Sequence, residues 1–78
     1  MQYSTHSFRH LRFVIGQNIH GVRMSKKMTL RKLSELSGIS MNLLDFYEMG
    51  KFEIRLNELY RISCALDVEL EKLFPKPL

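Results

Sequence analysis

The chain has 78 residues, 45% of them hydrophobic and 10% aromatic, which fits one folded domain and is too apolar for a disordered tail. No apolar run exceeds three residues, Arg9 and Arg12 interrupt any signal-peptide core, and Cys64 has no second cysteine, so we expect a cytoplasmic protein without membrane contact. The net charge of +4 is uneven, because seven cations and no anion precede Glu35 while the rest of the chain carries −3. This asymmetry suggests a side that binds a polyanion, or else an ordinary solvated surface.

The first predicted element is a long helix. Residues 1–6 lack periodicity and are expected to form a flexible arm. Ser7 can cap a helix that ends near Ser25, and Gly16 interrupts this helix where close packing against another helix would explain a glycine. Apolar residues recur at intervals of three and four to form a stripe: Phe8, Leu11, Ile15, Ile19 and Val22.

Two short helices joined by a tight turn are predicted next. Thr29 is a good N-cap for a helix that extends to Ser37, with Leu33 and Leu36 facing inward. Gly38 stands where a helix C-terminus commonly needs a positive φ, and Ser40 can cap a third helix from Met41 to about Met49. This pattern is typical of the helix-turn-helix by which many small proteins enter DNA.

The last predicted elements complete an all-α fold. Helix four spans Leu56 to Leu66 with its leucines and Ile62 on one face, and Cys64 is expected to be partly buried. A short fifth helix covers about Glu69 to Phe74, and two prolines then end the structure, leaving residues 75–78 as a tail. The sequence therefore predicts a compact five-helix bundle over residues 7–74, with the helix-turn-helix at residues 29–49.

Four segments carry a family resemblance: IGQNIHGVR (15–23), MTLRKLSELSGIS (28–40), YEMGK (47–51) and ALDVELEKLF (65–74). In them the chain resembles the Cro/C1-type, lambda-repressor-like (XRE) helix-turn-helix family from about Ile15 to Phe74. The resemblance implies a sequence-specific transcriptional regulator whose third helix lies in the DNA major groove and whose dimers bind pseudo-palindromic operators. It also implies a structural salt bridge between Arg23 and Glu48. The chain departs from the family pattern at Met41 and Phe46, where polar readers are common.

Cations cluster around the start of helix two. Arg31 and Lys32, in its first turn, oppose the helix macrodipole at a cost of ~0.3–1 kcal/mol each, which a bound phosphate would offset. For any one of them, a solvated surface cation is the alternative. The residues that we assign to DNA phosphate contacts lie here and in the loop after helix three: Lys26, Lys27, Thr29, Arg31, Lys32, Lys51 and Arg55.

Base contacts would come from the exposed face of helix three, because Leu43, Leu44 and Tyr47 are needed by the core. Asn42 is the best reader, since its amide can pair with adenine, whereas Asp45 could accept from cytosine only by bringing a negative charge into a phosphate-lined groove. Met41 and Phe46 offer apolar contacts, for instance to a thymine methyl group. The candidate base-contacting residues are Ser40, Met41, Asn42, Asp45 and Phe46.

The roles of two groups of apolar residues stay open. Met41, Phe46 and Met49, with Phe52, could form an apolar patch for a protein partner, as in an adaptor or antitoxin-like module. Likewise, Leu70 and Phe74 in helix five are expected at a homodimer interface, although they could equally complete the monomer core.

A metal site receives little support from the sequence. His6 and His10 have the i, i+4 spacing of metal ligands on a helix but lack a third ligand nearby. We therefore expect no metal, no cofactor and no enzymatic activity, and double-stranded DNA as the main partner.

Overall fold

The computed structural model describes residues 5–76, with side chains from Phe8 onward, and contains four α-helices and one 3-10 helix. They are α1 (Thr5–Ser25), α2 (Leu30–Ser37), α3 (Met41–Glu48), α4 (Leu56–Leu66) and the 3-10 helix (Leu70–Leu73). No β-strand occurs in the described residues, and the predicted all-α class is confirmed. The predicted bounds of α2 and α4 are also confirmed.

The chain ends differ from prediction where the structure describes them. α1 begins at Thr5, before the predicted cap Ser7, because neither Thr5 nor His6 breaks a helix. Residues 1–4 of the predicted arm and residues 77–78 of the predicted tail lie outside the described residues. Within the described range, no helix has the length and apolar character needed to cross a membrane.

The predicted fifth helix is a 3-10 helix, so the count of five α-helices is wrong by one. Lys72 N donates to the carbonyl of Glu69 at 2.9 Å, and Phe74 N donates to the carbonyl of Glu71 at 3.1 Å. This i, i+3 pattern defines the tighter helix. Pro75 restricts the preceding residue to extended backbone, and Phe74 indeed has ψ 160°, which ends the segment before an α-helical turn can form.

A single apolar core lies where the elements meet. α1 packs against α3, α2 packs against α3 and α4, and the 3-10 helix packs against α1 and α4. Side chains with almost no exposed surface come from every element: Ile19, Leu33, Leu44, Ile62, Leu66 and Leu73. The core therefore fixes α2 and α3 against the other helices while leaving one face of each free.

Three burial predictions are wrong. Leu36 and Leu56 are 51% and 68% exposed, and Cys64 is exposed as well. In α2 the core takes Leu33 and Ser37, which are one turn apart, so Leu36 points away. In α4 the buried face is filled by Leu59, Ile62, Ser63 and Leu66, which leaves the first residue and Cys64 outside it.

α1, α3 and α4 end in the same backbone motif. In each, an amide two or three residues beyond the last helical residue donates to a carbonyl five residues back at 3.0 Å, as in a Schellman motif. The residue before that amide has positive φ: 55° at Lys27, 71° at Gly50 and 57° at Asp67. Glycine adopts this conformation without strain, whereas Lys27 and Asp67 hold it at an energetic cost.

Candidate nucleic-acid interface

Side-chain caps define where α2 and α3 begin. Thr29 Oγ1 accepts the N–H of Lys32 at 3.0 Å, and Ser40 Oγ accepts the N–H of Leu43 at 3.2 Å. The predicted caps are therefore confirmed. Since each hydroxyl acts only as an acceptor in its cap, its proton is still free to be donated to another group.

Serine hydroxyls and a distant arginine fix the turn between α2 and α3. Gly38 has the predicted positive φ, at 73°. Ser34 Oγ donates to the carbonyl of Ile39, and Ser37 Oγ accepts the N–H of Ile39 at 3.2 Å. Arg61 Nε, from α4, donates to the carbonyl of Ser37 at 2.9 Å and so satisfies the C-terminus of α2. The sequence carried no local signal for the contact of Arg61.

The backbones of α1 and α3 touch at Gly16. A Cβ atom placed there would lie 2.3 Å from the carbonyl oxygen of Tyr47 and 2.8 Å from that of Glu48. Close helix packing, predicted as the reason for this glycine, is confirmed. Gly21, on the same helix, differs because a Cβ would meet nothing within 4 Å.

A buried ion pair joins the same two helices beyond Gly16. Arg23 Nε lies 2.7 Å from Glu48 Oε2, and Nη2 lies 2.9 Å from Oε1, with Arg23 8% and Glu48 6% exposed. Arg23 Nη1 also donates to the carbonyl of Met28 at 2.8 Å. The hydrogen bond that Arg23 donates to Glu48 raises the pKa of Arg23 despite its burial, so the guanidinium keeps its charge.

His20 is a third member of this cluster. Its Nδ1 lies 2.8 Å from Glu48 Oε1, and its position one turn before Arg23 is the sequence signal that could have identified it. On the other side of α3, the Tyr47 hydroxyl donates to Glu58 Oε1 of α4. Burial, and then the bond to Glu58, raises the pKa of Tyr47 to about 12. α3 is thus anchored to both α1 and α4.

The five candidate base-contacting residues lie at the start and on the free side of α3. Ser40, Met41, Asn42 and Asp45 are exposed. Phe46 is half-buried, because its ring packs edge-on against Phe52 with centroids 5.1 Å apart at 70°. Lys51 Nζ lies 5.8 Å from the centroid of the Phe46 ring. The surface beside the end of α3 is therefore apolar with a cation at its margin.

The seven candidate phosphate-contacting residues are all exposed and occupy two segments. Five lie at positions 26–32, around the start of α2, and Lys51 and Arg55 follow α3. The first turns of α2 and α3 contain no carboxylate. Lys26 Nζ lies 3.4 Å from the carbonyl of Asp67, so it also approaches the C-terminus of α4. Contact between these residues and DNA stays a prediction.

The two candidate dimer residues are half-buried against the core and line different recesses. Leu70 lies beside Cys64 and Val68, whereas Phe74 lines an apolar cavity of about 220 Å³ with Phe8 and Leu56. The side chain of His6 from the considered metal pair lies outside the described residues, and those described bring no three potential metal ligands together.

Comparisons with known proteins agree with this geometry. The family model described as helix-turn-helix matches residues 19–73. The restriction-modification controller protein C.AhdI from Aeromonas hydrophila is 27% identical with a TM-score of 0.79, over 81% of this chain and 96% of that one. The clp gene regulator ClgR from C. glutamicum is 29% identical with a TM-score of 0.77, over 80% of each chain.

A third solved structure shows likeness of fold alone. It is an HTH_3 family transcriptional regulator from Vibrio cholerae, 20% identical with a TM-score of 0.81, over 85% of this chain but 37% of that one. No curated protein matches the sequence.

Proposed function

The chain belongs to the helix-turn-helix family, and on this basis we propose that it is a sequence-specific DNA-binding transcriptional regulator with α3 in the major groove. The names of two similar solved structures, a restriction-modification controller and a clp gene regulator, support a regulatory role. The anchoring of α3 by α1 and α4 supports a rigid reading element, since its inner side is held and its outer side is free.

The main support for this proposal is the pair of exposed cations in the first turn of α2. Arg31 and Lys32 are exposed there, and neither is paired with a carboxylate of the described residues. In the free protein these cations face the positive end of the helix dipole, which is unfavourable. A phosphate at this point would bind the free N–H groups and both cations together.

Charge reversal at this turn tests the proposal. We expect Arg31→Glu/Lys32→Glu to weaken binding of a mixed-sequence duplex and to lower the log K against log salt slope by about 1.8, for two lost phosphate contacts. Lys72→Glu/Lys76→Glu is the matched control, because it changes the net charge equally near the 3-10 helix, which packs on α1 and α4. Fluorescence anisotropy at several salt concentrations measures both. Equal losses for the two variants, or no loss for the first, would contradict the proposal.

We further propose that two copies bind a pseudo-palindromic operator. One half-site read by a single short helix gives few contacts, and two half-sites about 34 Å apart would add their binding energies. The exposed parts of Leu70 and Phe74 are the proposed dimer contacts. Phe74 is the better placed, because Leu56 beside it exposes most of its side chain. Sedimentation of the protein with and without operator DNA, compared with Phe74→Ser, tests this.

A second candidate function is a protein-binding module, as in an adaptor or antitoxin. The observation that favours it is the exposure of Met41, Met49 and Phe52 along one side of α3 and the following loop. An apolar protein contact there would depend little on the cations of α2. Retention of partner binding by Arg31→Glu/Lys32→Glu, with no DNA affinity in the unmodified protein, would favour this function over the first.

A further inference from the structure

We infer that α3 reads A·T base pairs, and that it does so mainly through the methyl group of thymine, with Met41 and Phe46 as the contacting side chains and Asn42 as the reader of adenine. The inference rests on the proposed function and specifies the bases that the same surface would recognise. It follows from which chemical groups α3 presents and which it lacks.

The side chains that most often recognise guanine are absent from α3. The commonest specific contact to guanine is a bidentate one from Arg or Lys to O6 and N7. The helix reads MNLLDFYE and contains neither residue. Lys51 follows the helix, and its ammonium group lies 5.8 Å from the centroid of the Phe46 ring, at the margin of the surface where a phosphate would lie.

α3 also presents few groups that could recognise cytosine. Asp45 is the only carboxylate on the exposed side of α3, and it could accept from cytosine N4. To do so it would have to enter a groove lined by phosphates without a neighbouring cation on its own helix. Repulsion from the phosphates opposes this approach at every base pair, so Asp45 gives little preference for cytosine.

The groups that α3 does present match an A·T pair. Thymine is the one base with a methyl group in the major groove, and adenine is the base whose N6 and N7 suit an amide. Met41 is 39% exposed at the start of the helix, next to the exposed amide of Asn42. Phe46 lies one turn after Asn42, so these two side chains lie on the same side of α3.

The packing of Phe46 makes it a fixed contact rather than a mobile one. Its ring meets the ring of Phe52 edge-on, with centroids 5.1 Å apart, and α3 itself is anchored by the Arg23–Glu48 ion pair. A rigid aromatic surface loses little conformational entropy when it covers a methyl group. The cation of Lys51 beside this ring would hold the adjacent backbone.

Replacement of thymine by deoxyuridine isolates the methyl contact, because it removes only that group and keeps base pairing and phosphates. Duplexes would be selected from a random pool with the purified protein, and the enriched duplex would be remade with deoxyuridine at each thymine in turn. We expect A·T pairs at the centre of each half-site and about a fourfold loss of affinity at each contacted thymine, from ~0.8 kcal/mol per buried methyl carbon.

Variants assign the effect to side chains. Met41→Ala and Phe46→Ala should each abolish the sensitivity to deoxyuridine at one position, whereas Met24→Ala, at an exposed methionine of α1, should leave it unchanged. Circular dichroism checks that each variant is folded. If Phe46→Ala does not fold, Met41→Ala alone tests the inference.

The outcomes separate this inference from the function on which it rests. Enrichment of G·C pairs at the centre of the half-site, or equal affinity for the thymine and deoxyuridine duplexes, would overturn methyl reading and leave a sequence-specific DNA-binding protein. A pool that yields no enriched sequence would overturn both.

Discussion

Gly16→Ala tests the contact on which the position of α3 depends. The added methyl group would lie 2.3 Å from one backbone oxygen of α3 and 2.8 Å from another, so the two helices must separate by roughly 1 Å. Overpacking of a core commonly costs ~1–3 kcal/mol, and this case lies at the upper end because backbone atoms have no alternative rotamer. Alanine also favours the helix by about 1 kcal/mol, so we expect a net loss of ~2 kcal/mol or more.

Gly21→Ala is the matched control, because it makes the same chemical change on the same helix in open space. We expect it to stabilise the domain by ~0.8–1 kcal/mol, from helix propensity alone. For a domain of this size the melting temperature should therefore fall by about 8–16 °C for Gly16→Ala and rise by about 4–8 °C for Gly21→Ala. Thermal and urea unfolding followed by circular dichroism measures both. Equal stability of the two variants would refute the close approach of α1 and α3.

Three further predictions concern stability and its separation from function. Lys27→Gly and Asp67→Gly should each stabilise the domain by ~1 kcal/mol in urea unfolding, because both residues have positive φ, but only Lys27→Gly should lower the salt slope of DNA binding, by about 0.9. Glu48→Gln should cost about 3–5 kcal/mol by leaving the Arg23 guanidinium buried without its carboxylate, while Arg23→Met/Glu48→Leu should recover most of that loss; equal destabilisation by both would count against a buried pair. The pKa of Tyr47 rises from its ordinary value of 10 to about 12 on folding, so the free energy of unfolding should be intact below pH 10 and fall by about 2–3 kcal/mol between pH 10 and 12. Tyr47→Phe should lack this fall, and the same loss of stability in that variant as in the unmodified protein would contradict the prediction.

Local signals in the sequence were sufficient to predict the helix-turn-helix. The caps Thr29 and Ser40 and the positive φ of Gly38 each depend on a few neighbouring residues, and all three are present as predicted. The bounds of α2 and α4 follow from the same kind of signal. The candidate DNA-contacting residues could be named from their positions on these helices, and the structure describes them all as exposed or half-buried.

Features that depend on distant residues could not be predicted from periodicity. α2 has only eight residues, and two pairs in it fit a helical stripe: Leu33 with Leu36, and Leu33 with Ser37. The second pair is the buried one, because α2 packs against α4 on that side. The bond from Arg61 to the end of α2 joins residues 24 positions apart, so no local pattern reports it. The difference between an α-helix and a 3-10 helix at residues 70–73 likewise arises from Pro75 and the packing of α1.

In the proposed complex, the start of α2 and the free face of α3 lie together against a DNA duplex. Titration of labelled protein with the selected duplex, followed by backbone amide chemical shifts, tests it residue by residue. We expect the largest shifts at residues 29–32, 40–46 and 51–55, with little change over residues 60–64 of α4. Shifts concentrated at residues 60–64, with residues 29–32 unaffected, would contradict this arrangement.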